Sequence, residues 1–175
     1  MADRGPVDAL SDHVAGLRRY ALALTGSRQE AEDLVQETLT RAIAAARTWR
    51  RDGNLRAWLF AIMHNAFATE RRHRAAARQT FAEGEAPEPG HPAPQLIRLE
   101  VRDVLSALAQ LPDQQRAALS LIALEEFSYA EAARILEIPM GTLMSRLARG
   151  REALRRIMSG EPVPRPVMRV IEGKR

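Results

Sequence analysis

Four prolines, two glycines and three glutamates crowd residues 81–94, a stretch through which neither a helix nor a central strand can run. Proline has no backbone N–H to give and clashes with the preceding turn. Glu83, Glu85 and Glu88 leave little to bury. The segment therefore predicts a flexible Pro-rich linker, and it divides the 175-residue chain into two small domains. The spacing places the first domain over 7–78, the linker over 79–95 and the second domain over 96–159. A tail over 160–175 contains the second Pro-rich stretch, Pro162–Pro166. Leu, Ala and Arg dominate while Val and Ile are sparse and aromatics make up 5%, a composition for helix rather than sheet. No segment alternates as a strand does, so the predicted fold class is all-α.

Helical periodicity and stop signals mark the elements. Val7–Leu24 ends at Thr25-Gly26-Ser27, a stop followed by an N-cap. Gln29–Ala46 then places Leu34, Val35, Thr38, Leu39, Ala42, Ile43 and Ala46 on one inward stripe. After the polar loop Arg50–Asn54, a third helix runs from Leu55 to about His73 with Leu55, Leu59, Ile62 and Ala66 inward. The second block reads as Leu96–Gln110, a break at Leu111-Pro112-Asp113, and Gln114–Glu125. Ser128 with Glu131 has the spacing of a capping box opening Tyr129–Leu136. Glu137-Ile138-Pro139 is a turn, and Met140–Met158 is the last helix.

The final two helices and their short turn match helix-turn-helix spacing, in which the second helix enters a major groove. Its buried stripe is Leu143, Leu147, Leu154 and Ile157. The opposite arc holds Met144, Ser145, Ala148, Arg149, Glu152 and Arg156, with Arg146 and Arg151 on its flanks, placed for phosphates. Residues 134–156 carry six Arg against two Glu, an excess equal to the formal +4 of the whole chain. A helical hairpin with a solvated basic face is the plain alternative; small Ala148 between basic flanks favours DNA.

A second basic arc lies on the third helix: Ala57, Ala61, His64, Asn65, Ala68, Arg71 and Arg72. Small residues permit close approach, Asn reads base edges, and Arg clamps phosphate. Trp49 and Trp58 bracket the polar loop, where aromatics either stack on unpaired bases or pack inward. Trp58 borders the buried stripe, which favours packing. The second helix has the opposite sign, presenting Glu30, Asp33, Gln36, Glu37 and Thr40. That face suits solvent and a basic protein partner equally.

Catalysis and metal binding find no support. There is no cysteine, and His13, His64, His73 and His91 form no ligand spacing. Glu70 and His73 make one Glu-x-x-His pair where a helical di-metal site needs two. No cofactor, metal or enzymatic activity is expected. The first ten residues lack the apolar core of a signal peptide, and no apolar run reaches membrane-spanning length, so a cytoplasmic protein is expected, with no membrane contact.

Leu17–Ala42 (LRRYALALTGSRQEAEDLVQETLTRA), Leu55–Asn65 (LRAWLFAIMHN) and Leu111–Arg156 together resemble bacterial RNA polymerase sigma factors of the extracytoplasmic-function type, a minimal two-domain class of the sigma-70 family. The first block also resembles the general-stress-response subgroup. The resemblance implies a region-2 domain that docks on the polymerase clamp helices and captures the melted −10 strand. It also implies a region-4 domain that reads the −35 element as duplex, with the polymerase flap as a further core contact. It assigns Asp33, Gln36 and Glu37 to polymerase docking. It matches Arg50, Arg51, Asp52, Gly53 and Asn54 to the family's specificity loop and Asn65 to a base-reading position; with Trp49, Trp58, Arg71 and Arg72 from the arc and the loop's flanks, these form the expected −10 surface. Met144, Ser145, Ala148 and Arg149 fall on the family's groove-reading positions, and with Thr142, Arg146 and Arg151 they form the expected −35 surface. Many relatives carry Lys or Arg where this chain has Met144, so promoter sequence does not transfer by analogy. Expected partners are polymerase core, promoter DNA and an anti-sigma factor, with no homo-oligomer. Two other readings compete: a sigma-like decoy that sequesters an anti-sigma protein, and a free-standing helix-turn-helix regulator. The tether predicts an extended or variable free chain that an inhibitor compacts; an equally compact free form with its DNA faces buried would point instead to self-inhibition.

Overall fold

The computed structural model describes residues 9–49, 53–80 and 99–160. The expected linker core, the tail and the N-terminal eight residues lie outside the described residues. Among those described there are helices and no strand: a 3-10 turn at Leu10–His13, then α1 (Val14–Thr25), α2 (Arg28–Ala45), a 3-10 turn at Ala46–Thr48, and α3 (Leu55–Thr80). The second block comprises α4 (Leu99–Ala109), α5 (Asp113–Ala123), α6 (Tyr129–Ile135) and α7 (Met140–Met158).

The α1–α2 corner is built by the residues that signalled it. Gly26 takes a left-handed φ of 70° and its N–H reaches the Leu22 carbonyl at 2.9 Å. Ser27 then caps α2, its hydroxyl accepting the Glu30 N–H. Leu17, Tyr20, Ala21 and Leu24 of α1 pack on Ala31, Val35 and Ala42 of α2 and on Leu59, Phe60, Met63 and Phe67 of α3. Thr38 is buried within α2 without penalty because its hydroxyl donates to the Leu34 carbonyl at 2.7 Å.

Two details differ from the periodicity. Ile43, expected inward, is 54% exposed, because the buried face of α2 runs through Ala31, Val35, Thr38 and Ala42 and Ile43 lies about 100° round the helix from Ala42. Helix α3 continues to Thr80, beyond His73 and two residues past the expected domain end. Its extra turns are alanine-rich, and Arg74 ties them by pairing with Glu70 one turn back and with Glu30 of α2, both at 2.8 Å.

In the second block, α5 contributes Ala117, Ala118, Leu119 and Leu121, α6 Ala132, Ala133 and Ile135, and α7 Leu143 and Leu147. Helices α5 and α7 approach closely at Gly150, where a Cβ would lie 2.8 Å from Leu119 Cδ1. The two blocks also pack on each other, α1 against α4 and α5, and α3 against α6. That closure differs from the extended arrangement the linker suggested.

Candidate nucleic-acid and polymerase interfaces

The helix-turn-helix is set by local chemistry at both ends of α6. The Ser128 hydroxyl accepts the Glu131 N–H at 3.2 Å while the Glu131 carboxylate accepts the Ser128 N–H at 3.0 Å, the reciprocal capping box. The Ser128 hydroxyl also donates to that carboxylate at 2.7 Å, and this bond, with the one from the Ser128 N–H, holds the Glu131 carboxyl below its ordinary range. At the other end the Glu137 N–H reaches the Arg134 carbonyl and the Ile138 N–H the Ala133 carbonyl. This is a Schellman closure with Glu137 in the left-handed position at φ 53°. Pro139 then opens α7.

Along α7 the expected outward arc faces solvent at Met144, Ala148, Arg149 and Glu152, while Thr142, Ser145 and Arg156 are half-buried. The Ser145 hydroxyl is turned back onto the Thr142 carbonyl at 3.1 Å. Arg151 is exposed and donates to the Tyr129 hydroxyl at 3.1 Å, which fixes it beside the start of α6. Glu152 pairs with Arg155 and Arg156, whose hydrogen bonds draw its carboxyl down to about 2. Much of the basic charge at the end of α7 is thereby answered locally. Arg149 remains exposed at the centre of the arc.

The first-block arc is placed differently. Trp49 and Trp58 are half-buried and tilted on each other with centroids 6.4 Å apart, so each indole packs on the other. Arg50, Arg51 and Asp52 lie outside the described residues, and Gly53 is exposed. Asn54 caps α3 by accepting the Ala57 N–H at 3.1 Å, and its amide donates across to Glu131 at 2.9 Å. The Asn65 amide donates to Glu137 at 3.0 Å. Arg71 pairs with Asp113 of α5 at 2.8 Å, while Arg72 turns onto the Thr69 hydroxyl.

Between these contacts His64 packs inward, 3.4 Å from the Tyr20 hydroxyl. Burial lowers its pKa to about 4, helped by Arg146 and opposed by Glu137. Asn54, His64 and Asn65 thus face the helix-turn-helix in this arrangement, Arg71 faces α5, and Trp58 and Arg72 stay within the first block.

On α2, Asp33, Gln36 and Glu37 are exposed as expected. Glu37 pairs with Arg41 at 2.6 Å, and Asp33 accepts the Gln29 amide at 3.4 Å. Sequence reasoning passed over Gly16, Arg19, Arg56, Glu125 and Phe127, which form the junction between the blocks. No local periodicity marks them, because each is completed by residues of the other block.

Residues 10–64 match a family model described as the sigma2 domain of PhyR, and residues 102–154 match sigma-70, region 4. The chain is 39% identical over 145 residues to the ECF RNA polymerase sigma factor EcfG of Rhodopseudomonas palustris, covering 81% of this chain and 78% of the relative. Among solved structures it is similar to the sigma factor RpoE in complex with the anti-sigma factor NepR from Bartonella quintana. That likeness has a TM-score of 0.77 and 33% identity over 87% of this chain and 96% of that one. It is also similar to CnrH in complex with the cytosolic domain of CnrY, with a TM-score of 0.65 and 26% identity over 87% and 86% of the two chains.

Proposed function

Because the chain belongs to the extracytoplasmic-function family of RNA polymerase sigma factors, a membership carried by its EcfG-like sequence over most of its length, we propose a division of labour among its surfaces. The chain is a transcription-initiation factor that directs polymerase core to promoters. In our reading, region 4 binds the −35 duplex through α7, with Met144, Ser145, Ala148 and Arg149 toward base edges and Thr142, Arg146 and Arg151 toward the backbone. Region 2 takes the melted −10 strand on residues 49–54 with Trp58, Asn65, Arg71 and Arg72. Asp33, Gln36 and Glu37 dock on the clamp helices, and region 4 meets the flap. The domain limits 7–78 and 96–159 follow the same division. The observation carrying most weight is the solvent-facing, basic-flanked arc of α7.

We also read the partner in the RpoE complex as a guide to regulation: an anti-sigma factor holds this chain in a closed form. A groove between the blocks suits it, lined by Leu22, Leu34, Phe67 and Leu105 and passing Asp33 and Glu37. An occupant there covers the polymerase-docking carboxylates as well.

The competing decoy reading has one observation in its favour, the match of the first block to a PhyR domain. Reconstituted transcription with purified polymerase core and genomic promoter fragments separates the readings. A sigma factor yields discrete start sites, a decoy yields none, and a free-standing regulator yields none without another sigma factor. Adding the candidate anti-sigma protein must abolish the transcripts.

A further inference from the structure

The blocks are joined through a carboxylate that neither promoter recognition nor polymerase docking uses. Glu125, in the turn after α5, has a side chain only 1% exposed. Arg19 of α1 donates to it twice, Nε to Oε1 and Nη2 to Oε2, each at 3.0 Å. Arg56 of α3 donates to Oε2 at 3.1 Å and to the Glu125 backbone carbonyl. The same Arg56 guanidinium lies 4.1 Å from the centre of the Phe127 ring, which meets Phe60 edge-on with centroids 4.9 Å apart. Gly16 completes the socket, since a Cβ there would fall 2.8 Å from Glu125 Oε2.

A carboxylate is buried without ruin only when cations and donors answer it, and here both cations come from the opposite block. Separating the blocks returns the buried carboxylate to water, while Arg19 is already 58% exposed, so hydration of the carboxylate offsets part of the cost of opening.

We propose that Glu125 in its Arg19–Arg56 socket is an intramolecular latch, which holds the chain in a self-closed state with Glu131 and Glu137 occupying the amides of Asn54 and Asn65. The acidic residues of the helix-turn-helix then compete directly with promoter strand for region 2. This rests on the reading of Asn54 and Asn65 as strand-contacting residues. Closure is a property of the chain itself, so an inhibitor selects a state already populated.

The absence of cysteine allows two to be placed cleanly, at Ala44 and Met158, both exposed, for a label-to-label distance in the full chain. Binding of a fluorescent single-stranded DNA of mixed sequence is followed alongside. Glu125→Gln keeps the side-chain volume, and Gly16→Ala crowds the socket without changing charge. Both should lengthen the mean distance and tighten DNA binding about tenfold, as expected when the competent state rises from a minor to a major population. Glu126→Gln, with the same charge change outside the socket, should do neither. An unchanged distance in both socket variants overturns the latch. A longer distance with affinity unaltered, or altered equally by Glu126→Gln, overturns the occlusion. Adding Asn65→Ala to the opened chain then tells that failure from one of the underlying reading. Weakened binding keeps region 2 as the strand site, whereas unchanged binding removes it.

Discussion

Arg149 and Arg151 stand two positions apart on α7 and are held in opposite ways. Arg151 is tethered to the Tyr129 hydroxyl on the flank, whereas Arg149 is exposed amid Ser145 and Ala148. A bidentate Arg–guanine contact is worth about 1–3 kcal/mol of discrimination, while a phosphate contact adds affinity with little preference. Arg149→Ala should therefore relax one position of the consensus selected from a randomised upstream element. Arg151→Ala should weaken all promoters alike and reduce the salt slope by about 1. Met144, 54% exposed, offers only an apolar contact, so Met144→Arg should change the selected sequence without abolishing binding. On α2, Glu37 makes only an exposed one-turn pair with Arg41. The Asp33→Ala, Glu37→Ala double variant should lower affinity for polymerase core in a pull-down titration while shifting stability by no more than about 0.5 kcal/mol. Loss of the fold would make these residues structural.

At the scale of elements, the helix-turn-helix is defined by two positions of opposite character. Gly150 lets α7 lie against α5, and Gly150→Ala gains helix propensity but sets a methyl group against Leu119. Overpacking costs about 1–3 kcal/mol against a propensity gain of about 1 kcal/mol, so the net effect should be a lower denaturant midpoint. Glu137 is the reverse case. It occupies the left-handed closing position of α6, where a side chain costs roughly 1–2 kcal/mol and glycine costs none. Glu137→Gly should slow hydrogen exchange of the α6 amides while freeing the Asn65 amide. Faster exchange instead would mean that the Asn65 contact outweighs the backbone strain.

For the whole molecule, the half-buried histidine at the junction predicts a closure that is sensitive to pH. His64 faces Tyr20 of α1, Glu137 of the turn and Arg146 of α7, and its pKa falls from 6.5 to about 4. Between those values the unfolded or opened chain binds the proton and the closed chain does not. The stabilisation is therefore complete above pH 6.5 and declines as pH falls towards about 4. The Glu131 carboxyl is shifted downward from 4.5, so its contribution is lost only at lower pH. Stability and compaction should both drop between pH 7.5 and 5, and His64→Gln should flatten that slope. A profile unchanged by His64→Gln would assign the acid sensitivity elsewhere.

Local signals sufficed for what a single helix decides about itself. The stop at Gly26, the capping box at Ser128 and Glu131, and the split of α7 into a Leu143–Leu147 stripe and a Met144–Arg149 arc could be read from the chain. Each depends on backbone geometry or helical period within a few turns. The families matched by the two blocks were legible for the same reason, since their motifs are contiguous runs. Tertiary structure alone decided what the α3 arc touches. Ala57, Ala61 and Ala68 permit close approach by a nucleic acid or by another helix, and residue size does not distinguish them. Only docking of the second block turned Asn54, Asn65 and Arg71 toward Glu131, Glu137 and Asp113. Ile43 looked inward by period, yet a stripe does not say how wide a face the neighbouring helices cover, and Ile43 falls outside it beside buried Ala42. Glu125 carried no signal in the sequence, because its burial depends on two arginines separated from it by 106 and 69 residues of chain.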